Sequence, residues 1–162
     1  MDMLPAEIDD APEILALQRL AYQAEAVLYD DFAIPPLTQT LDALRAEFSS
    51  HVILKAVVDG RLVGSVRGCQ LEGTCRVGRL IVHPDHQGRG IGTALLRGIE
   101  KHFPSAVRFE LFTGHRSERN IRLYERVGYR IVRHQIVNDR LTLIFLHKNG
   151  NSTNNAASTL QR

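Results

Sequence analysis

The chain has 162 residues, a length that suits one domain with a buried core. Its 44% hydrophobic and 23% charged content argues against a disordered or fibrous protein, and a formal net charge of +2 from scattered basic residues gives no electrostatic case for nucleic acid. No apolar run is long enough to span a membrane, Met1-Asp2-Met3 opens no signal peptide, and Cys69 and Cys75 read as thiols in a reducing compartment, so a cytoplasmic location is expected.

Asp10-Ala11-Pro12-Glu13 suits a helix N-cap with an acid three residues on. Ile14, Leu15, Leu17, Leu20, Ala21, Ala24, Val27 and Leu28 follow at helical spacing and predict a helix over 11–28. The paired prolines at 35 and 36 predict a loop over 30–36. Leu41, Leu44, Ala46 and Phe48 place a second helix over 37–48. From residue 51 the period shortens. Strands are predicted over 51–58, 62–71 and 74–82, joined by Asp59-Gly60 and Glu72-Gly73 as hairpin turns. A helix over 89–101, a strand over 107–113, a short helix over 118–127 and strands over 129–136 and 141–146 complete the order. The class is α/β (α+β) with a mixed, mostly antiparallel sheet, and the crossover after Val82 is the place for a parallel pair. The domain is expected to fill residues 1–148, with a flexible polar tail over 149–162.

Between the third predicted strand and the next helix stands VHPDHQGRGIGTALL, residues 82–96. Glycines at 88, 90 and 92 let main-chain N–H groups approach a ligand, and donors at a helix start are unpaired and lie at the positive end of its dipole. This chemistry suits a phosphate or pyrophosphate, to which Arg89 could add a charge-assisted contact; a glycine-rich turn that only starts a helix is the alternative. A P-loop needs Gly-Lys followed by Ser or Thr, which is absent, and a dinucleotide fingerprint needs glycine where Thr93 stands. Glu110 matches that fingerprint's acid by spacing but falls inside the next predicted strand.

Gln87-Gly88-Arg89-Gly90-Ile91-Gly92 resembles the signature of the GNAT family of N-acetyltransferases: glutamine or arginine, two residues, glycine, one residue, glycine. Asn120-Ile121-Arg122-Leu123-Tyr124, followed by Gly128-Tyr129, resembles the same family's short helix and the strand after it, in matching order and separation. LFTGHRSERN, residues 111–120, resembles a subgroup of small bacterial acetyltransferases; Ser117 can cap the helix there and Gly114 permits the bend. The resemblance implies a fold in which the fourth and fifth strands splay around the pantetheine arm of acetyl-CoA. Carried onto this chain, it gives Leu80, Ile81 and Val82 main-chain contacts to the pantetheine. Gln87, Gly88, Arg89, Gly90, Ile91, Gly92 and Thr93 would surround the pyrophosphate. Asn120 would help hold the cofactor, and Tyr124 would protonate the departing thiolate.

Asn120 and Tyr124 are four apart and share one helix face. A phenol with a reference pKa near 10 stays protonated at neutral pH and suits a proton donor. A main-chain N–H near Val82 is the family-like donor to the developing oxyanion. Glu110 is the candidate general base, on a strand face shared with Arg108 and Phe112. Relatives often carry an acid in the fourth strand, where this chain has Arg76-Val77-Gly78-Arg79, so a water relay or a main-chain carbonyl is an alternative. Acceptor binding is expected from the first two helices and their loop. Tyr22, Tyr29, Asp30, Asp31 and Phe32 there suit a cationic amine, although Asp30-Asp31 also reads as a solvated turn. His83, His86 and His115 have no companions at metal-ligand spacing, so no metal is expected.

The expectation is an acetyl-CoA-dependent N-acetyltransferase that modifies a small-molecule primary amine by direct attack. The alternatives are a peptide or protein amine acceptor and a non-catalytic acyl-CoA-binding module. Neither a nucleic acid nor a membrane is expected as partner, and a homodimer is common among similar proteins.

Overall fold

Period-two alternation and tight turns build the centre of the sheet in the computed structural model, which describes residues 1–151. Strands β1 (Asp2–Pro5), β2 (Val52–Val58), β3 (Arg61–Leu71), β4 (Thr74–Val82), β5 (Arg108–Gly114), β6 (Arg130–Ile136) and β7 (Thr142–Asn149) form one sheet in the order β1-β2-β3-β4-β5-β7-β6. Every neighbouring pair is antiparallel except β4 and β5, as the crossover after Val82 implies. Asp59-Gly60 and Glu72-Gly73 both turn with positive φ at each residue, the geometry whose twist matches the flanking strands. β1 is an addition to the predicted order. Its four residues carry no alternation, and pairing from Asp2↔Val57 to Pro5↔Leu54 is what makes them a strand.

The helices are α1 (Ala11–Ala21), α2 (Gln23–Tyr29), α3 (Pro35–Thr38), α4 (Leu41–Glu47), α5 (Ile91–Lys101) and α6 (Glu118–Val127). The single helix predicted over 11–28 is therefore two, broken where Tyr22 takes φ −83° and ψ −1°. Asp10 precedes α1 without capping it. Its carboxylate accepts the Glu7 N–H at 2.8 Å and pairs with Lys55 Nζ at 2.9 Å instead. The paired prolines open a helical turn rather than a loop, because at the first helical positions the missing N–H had no partner to lose. The second predicted helix starts at Leu41, where Thr40 Oγ1 accepts the Ala43 N–H at 3.1 Å. Asn149, placed in the tail by sequence, closes β7 opposite Arg108; residues 152–162 lie outside the described residues.

Leu95, Leu96 and Ile99 of α5 are fully buried against Leu54, Val66 and Cys75 of the sheet. Each such aliphatic side chain contributes about 1.5–3 kcal/mol relative to exposure. Ile53 points to the opposite face and joins Ile14, Leu15 and Leu44 in a second, smaller cluster. On that side Arg67, only 3% exposed, donates to Glu47 Oε2 at 2.7 Å, to Gln39 Oε1 at 3.2 Å and to Gln18 Oε1 at 2.5 Å. Gln18 in turn donates to the Pro36 carbonyl at 2.8 Å. One buried cation thus fixes α1, α3 and α4 over the sheet.

β4 and β5 pair only at Thr74↔Arg108, Cys75↔Phe109 and Arg76↔Glu110, then diverge. The cause lies on the other edge of β4. Between Arg67↔Gly78 and Ser65↔Ile81 that strand carries one residue more than β3, and Arg79 in this bulge takes φ +50°. A bulge bends and twists its strand, here away from β5.

Candidate active site

The divergence of β4 and β5 opens a cleft of about 750 Å³. One wall is β4 from Val77 to Val82, the other β5 from Leu111 to Gly114, and neither has a strand partner across the gap. Leu80, Ile81 and Val82, predicted to offer main-chain groups, all lie on this wall.

At one end the cleft meets the start of α5, lined by Gln87, Gly88, Gly90, Ile91, Gly92 and Thr93. Gly88 and Gly90 have φ of +76° and +82°, and a β-carbon built on either would meet nothing within 4 Å. Packing inside the protein does not require these glycines; the backbone turn and an open cradle do. The first N–H groups of α5 have no intrahelical partner and face this space with the positive end of the dipole. Arg89 is exposed and stands between two left-handed glycines, outside the cleft lining. Arg119, which sequence reasoning passed over, lines the cleft and donates to Gln87 Oε1 at 2.6 Å, while Gln87 Nε2 reaches the Val82 carbonyl at 3.4 Å.

The middle of the cleft belongs to α6. Asn120 donates to Thr113 Oγ1 at 3.4 Å, and Tyr124, one turn on, packs its ring into the core beside Tyr129. Among the described residues no group hydrogen-bonds the Tyr124 hydroxyl, which lines the cleft. Burial raises the pKa of that phenol well above its ordinary value, and the neighbouring Tyr22 and Glu25 raise it further. Tyr124 is therefore a neutral donor across the whole physiological range.

α2 supplies the far end. Tyr22 and Tyr29 both line it, and the acid between them is Glu25 rather than Asp30 or Asp31. Asp30 ends α2 in a left-handed conformation, exposed, and its carbonyl accepts Arg140 Nη1 at 2.6 Å. Asp31 caps its own turn, accepting the Ala33 N–H at 2.9 Å. Phe32 is 58% exposed and also outside the lining. Asp30 and Asp31 are thus the solvated turn that the sequence offered as their alternative reading.

Ser117 stands before α6 but caps nothing with its side chain. Its hydroxyl donates to Glu25 Oε2 at 2.7 Å and lies 2.8 Å from the Tyr29 hydroxyl, which also accepts the Arg116 N–H at 2.9 Å. Gly114 is required for a different reason than a bend. A side chain there would run into the Tyr29 ring. Helical spacing was the available signal for Glu25, since it stands four residues before Tyr29 on the same face.

Glu110 lies at the closed end of the splay, opposite Arg76, and is absent from the cleft lining. Its carboxylate is 2.7 Å from His147 Nε2 and 3.9 Å from Arg76 Nε. Glu110 is thus engaged by His147 and Arg76 outside the cleft lining, where its expected general-base role has no geometric support. No cluster of three or more metal-ligating side chains occurs among the described residues.

A mixed sheet split at its one parallel pair, with a cleft running from a glycine-lined helix start to a tyrosine hydroxyl, defines the GNAT-like acyltransferase fold. Residues 12–129 match the acetyltransferase (GNAT) family, and the chain belongs to it. It is 38% identical over 99 residues to a mycothiol acetyltransferase of Nocardiopsis dassonvillei, covering 60% of this chain and 30% of that one. The chain spans about a third of the length of the curated relatives it matches. The fold recurs in the PaiA N-acetyltransferase of Thermoplasma acidophilum in complex with coenzyme A, at TM-score 0.76 and 14% identity over 91% of this chain and 98% of that one. It recurs also in YncA of Salmonella typhimurium with acetyl-CoA, at TM-score 0.74 and 18% identity over 92% and 93%.

Proposed function

We propose that the protein transfers the acetyl group of acetyl-CoA to a primary amine of a small molecule. The observation that carries this is the alignment, along one cleft, of an open glycine cradle, two unpaired strand edges and the unpartnered Tyr124 hydroxyl. These features fit the parts of the cofactor in turn. The α5 start and Arg119 suit its phosphates, the free edges of β4 and β5 suit its amides, and Asn120 lines the same cleft one helical turn before the tyrosine. Family membership and the relatives solved with coenzyme A and acetyl-CoA support the same reading.

Bound acetyl-CoA would supply an activated thioester, whose C–S bond breaks as the acceptor's C–N bond forms. With it bound, Tyr124 Oη would give its proton to the departing sulfur and regain one as the acceptor nitrogen loses its own. The unpaired N–H groups on the β4 edge near Val82 suit the charge that develops on the carbonyl oxygen. Arg140 joins the β6–β7 turn to the end of α2, the two elements that would flank an open peptide groove, which supports a small acceptor.

Titration calorimetry with acetyl-CoA, using NAD and ATP as controls, tests the cofactor assignment. Saturable binding near one per chain is expected, lost in Gly90→Glu with the fold retained. Absence of acetyl-CoA binding to the wild-type chain would overturn the assignment.

A further inference from the structure

Glu25, Arg79 and Arg116 are the charged residues lining the cleft near Tyr22 and Tyr29, and Glu25 forms no ion pair with either arginine among the described residues. Glu25 uses Oε2 to accept from Ser117, and its other oxygen is not engaged among the described residues. Arg79 projects from the β4 bulge into the same cleft, and its Nε is buried without a hydrogen-bond partner. Its neighbour Arg67 is neutralised by Glu47, whereas Arg79 has no carboxylate within ion-pair distance among the described residues. Tyr22 lines the cleft with both Glu25 and Arg79. Burial raises its pKa, Arg79 opposes this and Glu25 adds to it, so both act on one hydroxyl. Glu25 and Tyr124 line the same cleft, and the Glu25 charge acts on the Tyr124 phenol.

Two features suggest that this arrangement is held for a ligand. A half-buried guanidinium with an unsatisfied donor is unfavourable until an acceptor arrives. The backbone that presents it sits at φ +50°, a strained value for a residue with a side chain, and such strain persists where the surroundings enforce it. The start of α5 offers main-chain donors of its own for the cofactor's phosphates, which leaves Arg79 on β4 for another anion.

We infer that the acceptor is an amine bearing a carboxylate, of the free amino acid class, with its ammonium group drawn to Glu25 and its carboxylate to Arg79. A planar guanidinium offers paired donors that match the two oxygens of a carboxylate. Glu25 meets the amine beside Tyr124, where the acetyl group would be delivered. The inference rests on the amine acetyltransferase reading and narrows it to one substrate class.

The test is a panel of free amino acids, each beside its carboxamide and its decarboxylated amine, assayed by thiol release from acetyl-CoA, with acetyl-CoA affinity measured separately by calorimetry. The acids are expected to exceed both partners by at least tenfold in kcat/KM. Arg79→Met should bring that ratio near unity with acetyl-CoA affinity within threefold of wild type, and Arg79→Lys should restore part of it. Glu25→Gln should raise KM for the acids and their neutral partners alike. Equal use of acid and amide by the wild-type chain, preference for polyamines or an acidic peptide, or no turnover of any acid in a chain that binds acetyl-CoA would each overturn the inference while leaving the cofactor assignment intact. Loss of acetyl-CoA affinity in Arg79→Met would overturn it too, by assigning Arg79 to the cofactor. Failure of the wild-type chain to bind acetyl-CoA would remove the reading beneath it.

Discussion

Replacing Tyr124 by Phe separates chemistry from fold. The ring is buried in the main core and packs 6.3 Å from Tyr129, and phenylalanine keeps both contacts. The hydroxyl makes no hydrogen bond within the described residues, so its removal breaks none and should change stability little. General acid catalysis is typically worth roughly 10²–10⁴-fold, or about 2.7–5.4 kcal/mol of barrier. The expected variant therefore loses two to four orders of magnitude in kcat and keeps its Kd for acetyl-CoA. Thiol release at saturating substrates gives the first quantity and calorimetry the second. A kcat within threefold of wild type, or a Kd that weakens in step with kcat, would refute the reasoning. Burial holds the phenol above its ordinary pKa, so Tyr124 should contribute no alkaline fall in rate below about pH 10.

Burial also raises Tyr22, Tyr29 and Tyr129, so all four tyrosines keep their protons in the folded state after the unfolded chain begins to lose them. Their contribution to stability is full below the unfolded value near pH 10 and is lost as pH rises through the folded values. Urea midpoints should accordingly fall above that pH, with tyrosinate absorbance appearing together with unfolding; complete ionisation of a still-native chain would contradict this. Burial pushes the Cys75 thiol up to about 12, so a thiol reagent at neutral pH should modify Cys69 first and reach Cys75 only on unfolding. Glu47→Ala removes the counter-ion of the nearly fully buried Arg67 and should cost about 3 kcal/mol in chemical denaturation; a loss under about 1 kcal/mol would show that Gln18 and Gln39 suffice.

Local chemistry made much of this molecule legible. The two hairpins, the 118–127 helix and the glycine cradle each depend on a few adjacent residues, and each stands where the sequence indicated. What escaped depends on partners distant in the chain. β1 exists because β2 offers it an edge, and apolar spacing runs through the break at Tyr22 without marking it. Glu110 was judged by strand position, but its side-chain direction follows from pairing with His147. The bulge at Arg79 has no signature in RVGRLIV, since an extra residue in β4 is defined only against β3. Glu25 was legible by helical spacing, but the adjacent aspartates drew attention toward the end of the helix.

The parallel seam at Thr74–Arg76 is three residue pairs long, yet among the described residues it is the only strand pairing between the half-sheet β1–β4 and the half-sheet β5–β7. An extended molecule lying in the splay would stand in for the missing rungs of the ladder, bonding one half-sheet on each side. Cofactor occupancy would then be a mechanical event as well as a chemical one: two plates hinged at one end become a single continuous plate. Slower amide exchange along the facing edges of β4 and β5, beyond the seam, is how that stiffening would register.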